Sequence, residues 1–363
     1  MKRCSTEPEP SKRVKHSNRK NLLTLPLDIQ SVIFSFLERK DIINLSTLSK
    51  RHRRELCSFA FKRIKCKWKD LIDDKIILAK YSEYVSQLRI TDYSSYGEWQ
   101  LDFNEFLRLL PNLRHLLLNS NNLSNWLKYR SNNLIKELSL YLEDTPISQF
   151  RTKTSRSPRI FSLSHLWNFL SLKKIYLSKY HFNWEMENVS DLISLEELTI
   201  DNCTWEYPFK LTNFDPRGTV RVLNITYNKY NSFLLSERFN QFMVDEDDIF
   251  KSLKLLSISL LDYYVEGNYL CEKLLSSKLF LKFMNNKKFP YLVNFKLHGG
   301  TLNLENLKFT LMSIDENINT LELLDLKIIC QRNQKLYDEI EKLCHSKFPR
   351  MHLKLDIPHN PII

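Results

Sequence analysis

A six-position pattern of apolar residues recurs along the chain from residue 85 onwards. An apolar residue is followed by two variable positions, a second apolar residue, one variable position and a third, and the unit returns at intervals of roughly 20–40 residues. The copies are Val85/Leu88/Ile90, Leu113/Leu116/Leu118, Ile135/Leu138/Leu140, Leu172/Ile175/Leu177, Leu195/Leu198/Ile200, Val220/Leu223/Ile225, Leu253/Leu256/Ile258, Leu292/Phe295/Leu297 and Leu321/Leu324/Leu326. The last two apolar positions are two residues apart, as on one face of a β-strand. The pattern therefore predicts one short strand per copy, with Phe348–Leu355 as a truncated last copy.

A single copy of this pattern cannot bury its own apolar side. Stacking of successive copies buries a continuous core and aligns their strands in a parallel sheet. The segments 103–110 and 270–283 have apolar residues at helical spacing, so we expect them to form helices on the outer face. The predicted class is therefore α/β.

Three short amphipathic segments precede the repeats. Pro26 suits the first turn of a helix over residues 28–37. The apolar residues of this helix lie on one face at three- and four-residue spacings, and they are Ile29, Val32, Ile33, Phe36 and Leu37. Asp41 is expected to cap the second helix, and residues 50–69 are expected to form the third. Three helices this short bury little surface, so such a module often leaves an apolar face for a partner.

The basic charge of the chain is confined to this N-terminal region. The 363 residues carry 54 Lys and Arg against 42 Asp and Glu, a formal charge of +12. Residues 1–69 hold 18 of the basic and 6 of the acidic side chains, so the rest of the chain is neutral. Residues 1–20 are predicted to form a disordered basic tail, in which residues 12–15 have the form of a nuclear-import sequence.

Several function classes lose support from the composition. The chain has no secretory signal and no apolar run of about 18 residues, so no membrane span is expected. Its seven Cys show no C-x-x-C pair, which favours reduced thiols in the nucleus or cytoplasm. Five Gly do not form a dinucleotide or phosphate loop, Cys344-His345 is an isolated pair, and the acidic run 245–248 lacks the residues of a calcium loop. We therefore expect no metal, no cofactor and no enzymatic activity.

The N-terminal helices resemble an F-box. The resemblance rests on Leu25-Pro26-Leu27-Asp28-Ile29, the Ile33–Leu37 centre, Asp41-Ile42, and the basic close Lys50–Arg54, which follow in the family's order and spacing. The chain departs from the family at Leu48-Ser49, where Val-Cys is usual, and at His52, where Trp is usual. These departures fall on the last helix and leave the half that faces a partner intact.

The remainder of the chain resembles a leucine-rich-repeat domain. Residues 111–123 fit the repeat consensus, including its Asn, and Asn228 holds the same place in another copy. Cys203 occupies the place that Cys holds in cysteine-type repeats, which indicates a structural role in the turn after the strand. The resemblance implies a solenoid with the parallel sheet on its concave face and helices on its convex face.

These resemblances imply four regions. They are a tail at 1–20, an F-box at 21–68, a helical linker at 69–84, and a leucine-rich-repeat domain at 85–363 with about nine or ten irregular repeats. F-box first and repeats second is the layout of substrate receptors of SCF-type ubiquitin ligases. The resemblance thus implies a non-catalytic subunit whose partners are the SCF adaptor, through it the cullin, and an unidentified target protein that is ubiquitylated and degraded. The docking residues implied for the adaptor are Leu25, Pro26, Ile29, Ile33, Phe34, Leu37, Asp41 and Leu45.

Strand residues that alternate with the core form the expected target surface. Lys174, Lys296 and Lys327 are balanced there by Glu137, Glu197, Asp201 and Asp325, which favours a protein target over DNA or a phosphopeptide. The candidate target contacts are His115, Leu117, Tyr141, Tyr176, Leu255, Lys296 and His298.

Two other functions remain open from the sequence. One is an F-box protein that acts in a complex without cullin. The other is nucleic-acid binding through the basic first 69 residues, which is disfavoured because half of that charge lies on the F-box helices and aromatic stacking partners are sparse.

Overall fold

The chain divides into two compact units, Met1–Arg63 and Ile64–Ile363. The computed structural model describes residues 22–67, 80–90, 108–119, 134–141, 161–167, 169–182, 193–205, 210–227, 250–260, 289–301, 304–313, 320–329 and 333–356. Several predicted features lie outside these residues. They are the basic tail, most of the linker, most of the helical segment 103–110, the whole of 270–283, Asn121, Asn228 and the acidic run 245–248.

The first unit is built from three helices after a short 3-10 turn at Leu22–Thr24. They are α1 (Leu27–Ser35), α2 (Arg39–Thr47) and α3 (Lys50–Ala60). Their shared core consists of Leu23, Phe34, Ile42, Leu56 and Ala60, and the Phe59 ring packs on Phe34 with the ring centroids 4.7 Å apart. The predicted three helices are confirmed.

Three details of this unit differ from the prediction. Pro26 precedes α1 rather than lying in its first turn, because its ψ of 147° is extended. Glu38 takes the N-cap position of α2, and Asp41 is the third helical residue, where its carboxylate accepts the Glu38 backbone N–H at 3.3 Å. The third segment is helical only to Ala60. Beyond it, Arg63–Cys66 alternates exposed and half-buried side chains, which is the period of a strand.

The second unit is built on a parallel sheet of eleven strands. The strands of this unit are β1 (Arg63–Cys66), β2 (Gln87–Ile90), β3 (His115–Asn119), β4 (Glu137–Tyr141), β5 (Lys174–Ser178), β6 (His181–Phe182), β7 (Glu197–Asp201), β8 (Thr204–Trp205), β9 (Val222–Tyr227), β10 (Leu255–Leu260), β11 (Asn294–Thr301), β12 (Leu323–Ile329) and β13 (His352–Asp356). The order in the main sheet is β1-β2-β3-β4-β5-β7-β9-β10-β11-β12-β13, and β6 and β8 form a separate pair. The main sheet is open, with β1 and β13 at its edges.

Its core is the apolar pattern found in the sequence. All three apolar positions in each of the nine copies are buried, with at most 4% of any residue exposed. Within the main sheet, each strand from β2 to β13 pairs in parallel with its neighbour in the order given above. The second and third positions of the copies therefore form two continuous apolar rows. The predicted parallel sheet is confirmed.

The described helices of this unit fall between strands. They are α4 (Leu211–Phe214), α5 (Leu304–Ser313) and α6 (Gln334–Lys347), with 3-10 turns at Ser82–Tyr84 and Leu163–Leu166. Asn333 caps α6 by accepting the Leu336 backbone N–H. Lys308 of α5 and Glu339 of α6 form an ion pair at 2.6 Å that joins the two helices.

Candidate protein-docking surfaces

Helix α1 exposes a row of large apolar side chains. Ile29, Val32 and Phe36 are 48%, 57% and 83% exposed, and their spacing of three and four residues places them on one side of the helix. The opposite side carries Phe34, which is 3% exposed, and Gln30, whose side-chain amide donates to the backbone oxygens of Leu23 and Leu25. Ile29, Val32 and Phe36 are called the α1 surface below. Because such a row is uncommon on a water-exposed surface, it marks a place for a partner.

The predicted adaptor contacts do not all lie at the surface. Pro26 and Ile29 are exposed, and Leu25, Ile33, Leu37, Asp41 and Leu45 are half-buried. Phe34 is a core residue, so it can support the helix but presents no free ring to a partner. The sequence set omitted Val32 and Phe36, although Val32 shares the helical spacing that pointed to Ile29.

The start of α3 is strongly basic. Lys50, Arg51, Arg53 and Arg54 are all exposed, and Arg51 pairs with Glu55 at 2.9 Å. Ser49 caps the helix by accepting the His52 backbone N–H, and its hydroxyl lies 2.8 Å from Nδ1 of His52. The His that replaces the family's Trp is thus held at the cap of this helix.

On the strands of the second unit, the side chains that alternate with the two core rows lie on the other side of the sheet. This side of the main sheet is called the polar face below. In the parallel register, the first, third and fifth positions of neighbouring strands lie side by side in rows across this face. The first row carries alternating charge: His115 Nδ1 lies 3.4 Å from Glu137 Oε2, and Lys174 Nζ lies 3.2 Å from Glu197 Oε2. The hydrogen bond and charge of Glu197 raise the pKa of Lys174.

A second group of polar contacts on β5 and β7 converges on one carboxylate. Asp201 accepts hydrogen bonds from the hydroxyls of Tyr176 and Ser178, at 2.8 and 2.7 Å, and from the side-chain amide of Asn202 at 2.8 Å. Burial, followed by the bond to Asp201, raises the pKa of Tyr176 to about 12. The middle of the polar face is therefore held by contacts within the sheet.

The polar face is different on β10 and β11. Here the residues are Leu255, Ser257 and Ser259, beside Lys296 and His298. On the next strand Asp325 was expected at the surface, but it is only 6% exposed. Its Oδ1 lies 3.3 Å from His298 Nε2, which explains how this carboxylate is accommodated.

Five of the seven predicted target contacts fall into two groups in the structure. His115 and Tyr176 are engaged within the sheet, His115 also through a 3.0 Å contact between its Nε2 and Ser139 Oγ. Leu255, Lys296 and His298 lie together on β10 and β11. Leu117 is half-buried on β3, and the side chain of Tyr141 lies outside the described part.

The buried thiols have structural surroundings. Cys203 is completely buried, its Sγ donates to the Leu177 backbone oxygen at 3.4 Å, and burial raises its pKa to about 12. Burial also raises the pKa of Cys344 to about 11, while the neighbouring His345 is exposed. Within the described ranges, no three His, Cys, Asp or Glu side chains are grouped so that they could hold a metal ion. None of the described helices is long and apolar enough to cross a membrane.

Comparison with known families identifies the first of these surfaces. Residues 22–63 match the F-box domain family, which covers the 3-10 turn and all three helices of the first unit. No curated protein matches the sequence as a whole. Residues 22–63 are therefore similar to an F-box domain, and F-box domains typically bind the adaptor of SCF-type complexes.

Proposed function

We propose that this protein is the substrate-recognition subunit of an SCF-type E3 ubiquitin ligase. In this proposal the F-box binds the adaptor, and through it the cullin, while the second unit binds a target protein. The observation that carries the proposal is the exposed apolar row of α1, which lies inside the segment that matches the F-box family. A row of this kind buried against an adaptor would contribute roughly 25 cal/mol per Å² of apolar surface removed from water.

The docking set that we propose combines the predicted and observed residues. Ile29, Val32 and Phe36 supply the contact area, and Pro26 and half-buried Ile33 extend it along the same helix. Phe34, Leu37 and Leu45 would support this surface from below, since they belong to or pack against the core of the unit.

We further propose that the second unit is a leucine-rich-repeat domain. Buried apolar triplets and parallel in-register strands support this interpretation. Two successive copies also turn in the same way after the strand. Lys179 follows β5 and Asn202 follows β7, and both have left-handed backbone angles, with φ of 64° and 50°. The next residue is buried in each copy, as Tyr180 and Cys203.

The proposed role requires no catalytic group in this chain. A receptor accelerates ubiquitylation by holding the target near an E2 enzyme bound elsewhere in the complex, which raises the effective concentration of the target lysine. Its place of action would be the nucleus or the cytoplasm, with residues 12–15 as the proposed import sequence.

Co-purification of the full chain with adaptor and cullin tests the proposal. The variant Ile29→Asp with Phe36→Asp places two charges on the α1 surface without touching the core, so we expect loss of both partners. Tyr291→Asp is the matched control, because Tyr291 is an exposed aromatic residue of the second unit. If the α1 variant retains the adaptor, the docking assignment is wrong. If the wild type captures adaptor without cullin, the protein acts in a different F-box complex.

A further inference from the structure

Four hydrogen-bonding side chains form a compact group on β10 and β11. The register pairs Ser257 with Lys296 and Ser259 with His298. Neighbouring strands are about 4.8 Å apart, and alternate residues along a strand are about 6.8 Å apart. The four side chains therefore start from the corners of a small rectangle on the polar face.

Three of these four groups differ from their neighbours because they make no polar side-chain contact within the described part of the chain. Within the described part of the chain, Ser257, Ser259 and the Lys296 ammonium have no hydrogen bond or ion pair with another residue. The Nε2 atom of His298 is buried and lies 3.3 Å from Oδ1 of Asp325. On β5, β7 and β9, in contrast, residues of the corresponding rows are linked by hydrogen bonds within the sheet: Tyr176 and Ser178 bond to Asp201, and Asn224 bonds to Thr199. Hydrogen-bonding groups left available in this way can serve a ligand.

The charge around the group favours an anion. Asp325 pairs in register with Lys296 on one side and with Lys354 on the other, so one buried acidic residue has a lysine beside it on each neighbouring strand. Because Asp325 Oδ1 lies 3.3 Å from His298 Nε2, the carboxylate orients the imidazole. The Lys296 ammonium and the two serine hydroxyls remain to donate to an incoming group.

An apolar strip borders these donors. In the first row of the polar face, half-buried Val222 and Leu255 are adjacent aliphatic residues on β9 and β10, and Asn294 of β11 separates them from Leu323. Leu255 lies two residues before Ser257 on the same strand. An aliphatic contact and an anion contact are thus about 7 Å apart along the strand direction.

We propose that Leu255, Ser257, Ser259, Lys296 and His298 form a subsite for an extended segment of the target that carries an aliphatic side chain and, two residues away, a carboxylate. This inference rests on the proposed function, since it names the chemistry of the target at the same face. The aliphatic side chain packs on Leu255, and the carboxylate accepts from Lys296 and the serine hydroxyls. A phosphate dianion fits less well than a carboxylate, because Asp325 repels its larger negative charge more strongly and no arginine is present among these five residues to bind it bidentately.

Binding of short synthetic peptides to the purified full chain tests the subsite. The probes are ten-residue Gly/Ser peptides, displayed at high density on beads, that contain Ile-Gly-Glu, Ile-Gly-Lys, Ala-Gly-Glu or Ile-Gly-phosphoserine. We expect the Ile-Gly-Glu peptide to be retained about tenfold more strongly than the Lys and Ala peptides, the ratio expected for one charge-assisted contact. Equal retention of all peptides, or none of any, would overturn the proposal. Stronger retention of the phosphoserine peptide would overturn the assignment to a carboxylate.

Variants then locate the contact. Lys296→Gln should reduce retention of the Ile-Gly-Glu peptide about fivefold to tenfold, and Lys296→Glu should shift the preference to the Ile-Gly-Lys peptide. Lys254→Gln is the matched control, because Lys254 is an exposed lysine that precedes β10 and lies outside the subsite. A Lys254→Gln loss equal to that of Lys296→Gln would contradict the assignment. The adaptor pull-down on the same Lys296 variants distinguishes failure of the subsite proposal from failure of the proposed function. If only the subsite proposal is wrong, these samples still capture the adaptor.

Discussion

The Tyr176 hydroxyl donates a 2.8 Å hydrogen bond to Oδ2 of Asp201, from β5 to the neighbouring parallel strand β7. The same oxygen accepts from Ser178, and the other carboxylate oxygen accepts from Asn202. One side chain thus satisfies three donors from two adjacent repeats. These hydrogen bonds hold the side chains in the middle of the polar face. We therefore expect substitution of Asp201 to lower the stability of the sheet.

Replacing Asp201 by Ala should lower the free energy of unfolding by about 2–3 kcal/mol, because the substitution leaves partly buried donors without an acceptor. Urea denaturation followed by circular dichroism measures the effect. Glu137→Ala is the control: its contact with His115 is more exposed, so we expect a loss of less than about 1 kcal/mol. Similar losses for the two variants would show that the Asp201 contacts do not stabilise the sheet.

The pKa of Tyr176, raised to about 12 mainly by burial and then by Asp201, predicts a loss of stability in alkaline solution. An unfolded tyrosine ionises near pH 10, whereas the folded one keeps its proton longer. The contribution of Tyr176 is therefore complete below about pH 10 and declines as the pH rises towards 12. The difference in unfolding free energy between wild type and Tyr176→Phe should shrink between about pH 9.5 and 11.5. A difference that stays constant over this range would contradict the raised pKa.

The burial of Cys203 and Cys344, with pKa values raised to about 12 and about 11, predicts that both thiols resist alkylation in the folded protein. The thiolate is the reactive form, so among the four cysteines in the described residues iodoacetamide near pH 8 should modify half-buried Cys66 first. Peptide mass spectrometry after a short reaction measures the order, and a sample in urea shows that every site can react. Early modification of Cys203 in the native state would contradict its structural role.

The sequence predicted the structure best where the spacing of apolar residues alone determines the secondary structure. In Leu116 and Leu118, as in each copy, a spacing of two residues specifies the strand and the side that is buried, so the sheet could be predicted. Asp325 could not be predicted in the same way, because its burial depends on His298 and other residues brought beside it by strands distant in sequence. The end of α3 was also missed, since residues 61–66 carry the same basic and apolar types as the helix before them.

The candidate docking surface contains two nearby residues whose burial could not be predicted from the sequence pattern either. Phe34 and Phe36 lie in one amphipathic segment, and the resemblance to the F-box implied Phe34, not Phe36, as an adaptor contact. The structure places Phe34 in the core against Phe59 and leaves Phe36 exposed. The choice depends on where α3 packs, which the pattern of a single helix does not contain.

This difference predicts opposite effects for two alanine substitutions. Phe34→Ala should destabilise the first unit by about 3–5 kcal/mol, because it leaves a cavity among Leu23, Ile42 and Leu56. Phe36→Ala should change the unfolding free energy by less than about 0.5 kcal/mol, since its ring is exposed, yet it should weaken adaptor binding about tenfold or more. Denaturation of the full chain and titration with purified adaptor separate the two effects. Unchanged adaptor affinity in Phe36→Ala, together with native stability, would show that the exposed row of α1 is not the docking surface.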